Sequence, residues 1–522
     1  MPGRSRWRGP WPPCGSPAGC AATQRGERPP SLRPHALLVV RSQLNVPRSQ
    51  RSDVSTTVFG VPGRVPTTLN VLDPRTGELV TELAMTEPAG CAEAIRRAHA
   101  AAPAWARTPA AERATAINAA ANAAREVADE LAALNERETG KPRDDARGGV
   151  DAGIGTLMQY AELGPLHGGR SLQGQWAATD LMIPEPRGVV AVLTPWNDPV
   201  AVAAGLLGAA LVTGNTVVHK PSERCPATGR RFAEVIAAQL PDGVLQIVDG
   251  DGTVGAQLAG AEDVDVVAHV GSSVTGRAIA RMCAERGAKA LLENGGNDAL
   301  IVDAGVDVGW AAEQAAQGTF ANAGQICVSV ERVFVVESVA GPFLDALVAQ
   351  AATWSERIGP LVDERQRELV HRHVTDAVKD GARILGGGAP RVGPGTFYPP
   401  TVLADRTPDM LVMSEETFGP VAPVRTVTDF ETALAEAADD RYGLAATVLT
   451  TDMGHAQTAW RSLPVGTVKI NAAFGGAPGG ASEPRRASGN GFGFGPELLD
   501  EMTAMKVVHW SPPGPGPSLT KE

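Results

Sequence analysis

The sequence predicts an α/β protein built from two open-sheet domains, and three observations carry that expectation. Short runs rich in Val and Ile, "GVVAVL" (188–193), "NTVVHK" (215–220), "GVLQIV" (243–248) and "VDVVAHV" (264–270), alternate with segments of helix length. A second alternating set follows, with "ALIV" (299–302) and "RVFVV" (332–336). Unbroken apolar runs suit parallel strands covered by helices on both faces, because a half-wet strand alternates apolar and polar residues instead. Length and composition agree: 522 residues allow two or three domains, and 43% hydrophobic with 20% charged residues is ordinary for a globular enzyme.

Residues 1–60 differ from the rest. They carry many Arg and Pro, few acids and no helical or strand period, which predicts a disordered extension. The run "HALLVV" (35–40) falls short of a secretory apolar core. We read the stretch as a tail without function or an upstream start-site error; N-terminal sequencing that finds Met1 on the natural protein would exclude the second. From about Val65 the texture changes, and "LNVLDPRTGELVTEL" reads as a β-hairpin turning at 74–77. Within "TPAAERATAINAAANAAREVADELAALNERETG" (108–140) two Ala-rich helices are expected, Pro109 near the start of the first and Gly140 closing the second. The apolar run 200–212 is too short to span a bilayer and reads as a buried helix. Near the end, "MKVVHW" (505–510) alternates as an edge strand does.

Charge and cysteine content exclude several function classes. A formal net charge of −11 repels polyanions, so no nucleic-acid partner is expected, and no segment calls for a membrane. Six cysteines, at 14, 20, 91, 225, 283 and 327, form no CxxC pair and no zinc-spaced Cys/His cluster. A reduced, cytoplasmic setting without a structural metal follows.

Open α/β sheets bind ligands beyond the carboxyl ends of their strands, so the residues that follow each run are the candidates for chemistry. After "VVAVL" comes Thr194-Pro195-Trp196-Asn197-Asp198-Pro199, and after "TVVH" comes Lys220-Pro221-Ser222-Glu223. After "VDVVAHV", Gly271-Ser272-Ser273-Val274-Thr275-Gly276 opens a helix whose first backbone N–H groups are available to phosphate. Neither this turn nor the glycine-rich "SGNGFGFG" near the end has the G-x-G-x-x-G spacing. In "LLENGGNDALIV", apolar neighbours would partly bury Glu293 and raise its pKa, which suits a base. Finally, "FANAGQICVSVER" (320–332) sets Cys327 behind small polar residues and ahead of a β-branched run. A single thiol is usually a packing residue, as Cys283 is expected to be, and only its company argues otherwise.

That company is specific. "TPWN", "KPSE", "GSSVTG", "LENGG", "FANAGQIC" and "EETFGP" (415–420) occur in the order and approximate spacing of the aldehyde dehydrogenase superfamily, which the chain resembles from about residue 66 to 510. The resemblance implies an NAD(P)-dependent, non-acylating enzyme in which Cys327, as thiolate, attacks the aldehyde and Glu293 activates the water that hydrolyses the thioester. Asn197 and the Cys327 backbone N–H would bind the oxyanion. Cofactor contacts fall on Trp196, Lys220, Glu223, Gly271, Ser272, Glu416 and Phe418, with Lys220 and Glu223 at the adenosine ribose and Glu416 at the nicotinamide ribose. Because Glu223 would repel a 2′-phosphate, NAD is expected in preference to NADP.

The implied fold is aldehyde-dehydrogenase-like: two open α/β domains with a protruding oligomerisation hairpin. Residues 61–168 and 188–293 form the NAD-binding domain, 294–484 the catalytic domain, 169–187 and 485–511 the hairpin and C-terminal strand, and 512–522 a tail. The partners are a small-molecule aldehyde and further copies of the chain, as a dimer or tetramer. Departures from the family pattern stand at Asp198, His269, Asn294 and Glu483-Pro484-Arg485-Arg486, where an arginine could meet an acidic substrate tail. Two other activities stay open: a semialdehyde dehydrogenase using NADP, and a cysteine esterase without redox chemistry. A catalytically silent homologue would show no turnover on any aldehyde.

Overall fold

Residues 67–477 and 480–514 are described by a computed structural model. The expected extension over 1–60 and the tail beyond 514 lie outside the described residues. The first hairpin pairs β1 (Thr68–Leu72) with β2 (Leu79–Ala84) antiparallel, and Gly77 takes the positive φ of 81° that the turn requires. The expected Ala-rich helices are Ala110–Glu126 and Ala128–Thr139. Gly140 ends the second in the left-handed region, packed so closely on Pro360 that a Cβ there would lie 2.4 Å from its ring.

Three further strand groups complete the architecture. β3 (Arg170–Leu172), β4 (Thr179–Pro186) and β18 (Thr503–Trp510) form a small antiparallel sheet in the order β18-β4-β3. A six-stranded sheet contains β5 (Val189–Leu193), β6 (Thr216–Lys220), β7 (Leu245–Ile247), β8 (Val266–Val270), β9 (Lys289–Glu293) and β17 (Gly489–Asn490), ordered β17-β9-β8-β5-β6-β7. It is parallel except for β17. Every residue of β5 and β6 is buried, as their unbroken apolar runs require. The helix Pro199–Val212 is almost wholly buried against this sheet's core, which accounts for a segment apolar on all sides.

The seven-stranded sheet holds β10 (Asp298–Val302), β11 (Val330–Val336), β12 (Arg383–Gly386), β13 (Thr401–Ala404), β14 (Val421–Val427), β15 (Ala445–Leu449) and β16 (Thr467–Ile470). Its order is β12-β13-β14-β11-β10-β15-β16, with β12 alone antiparallel. The C-terminal region divides differently from the expected 485–511 unit. β17 joins the edge of the six-stranded sheet, the helix Glu497–Glu501 buries Leu498 and Leu499 in that sheet's core, and only β18 joins β4.

Candidate active site

A cavity of about 360 Å³ opens beyond the carboxyl ends of β5, β6 and β8 and runs to Cys327. Every residue to which the resemblance gives a catalytic or cofactor role lines it: Trp196, Asn197, Lys220, Glu223, Gly271, Ser272, Glu293, Cys327, Glu416 and Phe418. The end of β6 supplies Lys220, the loops after β5, β6 and β8 supply Trp196, Asn197, Glu223, Gly271 and Ser272, β9 ends on Glu293, and Cys327 precedes β11.

The lead-in to Cys327 is held far more tightly than its small residues suggest. Asn322, Ala323 and Gly324 are consecutive left-handed residues, with φ of 49°, 55° and 73°. Two of the three carry a Cβ, at about 1–2 kcal/mol each, so neighbouring contacts must fix them. Gln325 does this: its side-chain oxygen accepts the Val362 N–H at 2.9 Å, and its amide nitrogen donates to the Asn322 carbonyl at 3.0 Å. The Gln325 backbone carbonyl accepts the side-chain amides of both Asn322 and Asn197 at 3.1 Å. One amide hydrogen of Asn197 is thereby committed to the turn that leads into Cys327 and one is not. Gly324 abuts the "EETFGP" loop, where a Cβ would lie 2.1 Å from the Gly419 carbonyl.

Cys327 is open to the cavity, yet the surrounding walls desolvate any charge placed on it. Burial, then the charges of Glu293, Asp298 and Glu416, push its thiol up to about 12. The resting sulfur is therefore held as a thiol, and the thiolate expected from sequence has to be generated; burial is the main physical reason, with the neighbouring carboxyls adding to it. Glu293 is half-buried, and burial pushes it up to about 8 against the Gly493 backbone amide, which pulls it down.

Glu416 lies across the two glycines of "LENGG": its carboxylate accepts the Gly296 N–H at 3.1 Å, and a Cβ on Gly295 would come within 2.1 Å of it. Burial pushes Glu416 up to about 8. The following loop is clamped from both sides. Buried Glu331 accepts the N–H groups of Thr417 (2.8 Å) and Phe418 (2.9 Å), and Gln366 donates to both their carbonyls at 3.1 and 3.0 Å. Phe418, at φ 51°, meets Trp196 edge to face with centroids 5.5 Å apart. Arg224 lies over the other ring at 5.3 Å and reaches Asp363 at 3.2 Å.

At the far end of the cavity, buried Lys220 donates to the carbonyls of Pro221 (2.9 Å) and Gly250 (2.7 Å) and stands 3.8 Å from the Glu223 carboxylate. Ser272 caps the helix Ser273–Arg286, its hydroxyl accepting the Thr275 N–H at 3.2 Å. His269, buried and lining the same space, has both ring nitrogens without a partner, and burial followed by the Lys220 charge lowers its pKa to about 4. A neutral, unpartnered imidazole beside this helix N-terminus fits a polar anionic ligand such as a dinucleotide.

The remaining departures fall outside this cavity or serve packing. Asp198 packs against Gly149, its Oδ1 3.6 Å from Lys141 Nζ. Asn294 is tied to the C-terminal segment, its side chain donating to the Ala487 carbonyl at 3.3 Å and its backbone N–H to Ser488 at 2.9 Å. Arg486 is spent on backbone carbonyls of Ala438 (3.1 Å) and Asp440, and neither it nor Arg485 lines the cavity. Sequence reading missed Gln325, Glu331, Gln366 and Gly493. Cys91, Cys225 and Cys283 are buried and free, the last in the core as expected.

Two α/β sheets with a cleft at the strand ends that reaches a cysteine define a candidate enzyme active site. The chain belongs to the aldehyde dehydrogenase family, whose sequence profile matches residues 61–508. It is 34% identical over 414 residues to the succinate-semialdehyde dehydrogenase [NADP(+)] of Escherichia coli, covering 77% of this chain and 86% of that one. It is 35% identical over 429 residues to aminoaldehyde dehydrogenase 2, peroxisomal, of Malus domestica (77% and 84% covered). The crystal structure of lactaldehyde dehydrogenase from Escherichia coli superposes with a TM-score of 0.82 at 32% identity, covering 86% of this chain and 97% of that one.

Proposed function

We propose that this enzyme oxidises its aldehyde through a covalent intermediate on Cys327 that is hydrolysed with the help of Glu293, and that NAD is its preferred cofactor. One observation carries the reading: a thiol and a raised-pKa carboxylate face the same cavity as Lys220, Ser272 and Glu416. In the first step the Cys327 proton leaves to the water of the open cavity and sulfur bonds to the carbonyl carbon. The developing oxyanion accepts from the Cys327 backbone N–H and the uncommitted amide hydrogen of Asn197, at about 3 kcal/mol per donor. When bound, the dinucleotide held by Lys220, Glu223, Ser272 and Glu416 supplies the hydride acceptor. The acyl group then remains on sulfur as a thioester. Glu293 takes a proton from water, hydroxide adds to the acyl carbon, and the carbon–sulfur bond breaks to release the acid and the Cys327 thiolate.

Glu223 supports NAD over NADP, because a half-buried carboxylate beside the ribose repels a 2′-phosphate. Its cationic neighbour Arg224 offers no compensation, being engaged by Asp363 and Trp196. Glu223→Gln is expected to raise the NADP-to-NAD ratio of kcat/KM roughly tenfold, about 1.4 kcal/mol. Absorbance of the reduced nicotinamide, followed with both cofactors over aliphatic, aromatic, hydroxylated and carboxylate-bearing aldehydes, tests the whole reading. An unchanged ratio in the variant would remove the argument from Glu223.

Self-association as a dimer or tetramer is proposed at the edge strand β18, whose Met505, Val507 and Trp510 are exposed. Val507→Glu is expected to lower the sedimentation coefficient of the native assembly, and an unchanged value would exclude this edge. Free Cys91, Cys225, Cys283 and Cys327 are in keeping with a reducing, cytoplasmic setting.

A further inference from the structure

The glycine-rich segment near the C-terminus fits no phosphate-binding spacing, and its place in the fold gives it another use. β17 pairs directly with the strand that ends on Glu293, Gly489 opposite Glu293 and Asn490 opposite Leu292. The chain beyond is pinned along its length. Gly491 N–H donates to Glu483 at 3.3 Å, Phe494 packs on Gly205 so closely that a Cβ there would lie 3.1 Å from the ring, and the Gly495 carbonyl accepts the Tyr160 hydroxyl at 3.2 Å. Between these anchors Gly493 faces the Glu293 side chain. A Cβ at 493 would stand 2.4 Å from Oε1, 2.5 Å from Cγ and 2.6 Å from Cδ.

The glycines of this segment are there for different reasons. Gly489, Gly491 and Gly495 adopt φ of 123°, 80° and 75°, which side chains resist; Gly493 does not have a positive φ. Its backbone accepts an L side chain, and the atoms such a side chain would meet first belong to Glu293. Its backbone amide faces the Glu293 carboxyl.

We propose that Gly493 is a positioning residue for the base: its missing side chain makes the alcove that holds the Glu293 carboxyl at its working distance from Cys327. The proposal rests on the reading of Glu293 as the deacylating base. Cys327 and Glu416 share the cavity with Glu293, and Lys289, on its own strand, is paired with Glu501.

The test is a double-mutant cycle in the full-length enzyme with NAD and a good aldehyde substrate, separating the pre-steady-state burst of reduced nicotinamide from steady turnover. Gly493→Ala is expected to leave a near-stoichiometric burst, which reports folded enzyme with bound cofactor, while steady turnover falls roughly 10- to 100-fold through displacement of the carboxyl. In a Glu293→Gln background the same Gly493→Ala change is expected to cost nothing further, since the base it displaces is already gone. Undiminished steady turnover in Gly493→Ala overturns the proposal, as does an equal loss in both backgrounds, which would mark a purely structural glycine. Full turnover in Glu293→Gln alone would instead overturn the assignment of the base, and the alcove's role with it.

Discussion

Cys327→Ala is expected to reduce aldehyde oxidation to background, a loss on the order of 10⁴-fold or more, while cofactor binding measured by fluorescence titration stays within about twofold. The loss is large because no other described thiol replaces it: Cys91, Cys225 and Cys283 are buried, and burial raises the pKa of each. Binding survives because the substituted atom borders the cavity, whereas the turn that carries it is fixed by Gln325, Asn197 and Val362. The same geometry predicts a chemical signature. With its thiol pushed far above the usual range, Cys327 of the free enzyme is almost wholly un-ionised at pH 7. Alkylation by iodoacetamide should therefore be slow at neutral pH and accelerate about tenfold per pH unit through pH 9, because only the thiolate reacts. Rapid alkylation that levels off below pH 8 would show that burial and the neighbouring carboxyls do not govern the sulfur, and residual oxidation by Cys327→Ala would remove it as nucleophile.

What the sequence conveyed about this site, and what it withheld, follows from the range of the interactions. The runs that became β5, β6, β8, β10 and β11 were legible because burial on both faces leaves a local signature of consecutive Val and Ile. β9 and β13, with sequences KALLE and TVLA, are short or carry lysine, so no window distinguishes them from a loop until the neighbouring strand is known. The same limit applies within the site. Residues at strand ends could be named because topology places them in the cleft. Glu331 could not, since its use depends on Thr417 and Phe418 arriving from a loop 86 and 87 residues away. Gly493 was invisible for the same reason: a glycine in a glycine-rich stretch gains meaning only when Glu293 occupies the space it leaves.

Glu293→Gln is expected to separate the two halves of the reaction. Steady turnover should fall roughly 10²- to 10⁴-fold, the range for loss of a positioned general base, while the burst of reduced nicotinamide persists at about one per active site. The sign of the pH effect is fixed by which form of the carboxyl works. Glu293 accepts a proton only when ionised and titrates at about 8, so native deacylation should rise as pH increases through 8 and then level off. The glutamine variant has no group to ionise there, and its residual steady rate should lose that limb. Acylation should respond in the opposite sense. Ionised Glu293 is the first of the charges that raise the Cys327 pKa, so deleting it lowers the cost of forming thiolate. Above about pH 8, where the native carboxyl is charged, the variant's burst should be at least as fast as the native one; below it, where native Glu293 is mostly neutral, the two should converge. A burst that disappears together with steady turnover would mean that Glu293 is needed before the thioester forms, and the division of labour between sulfur and carboxylate would have to be redrawn.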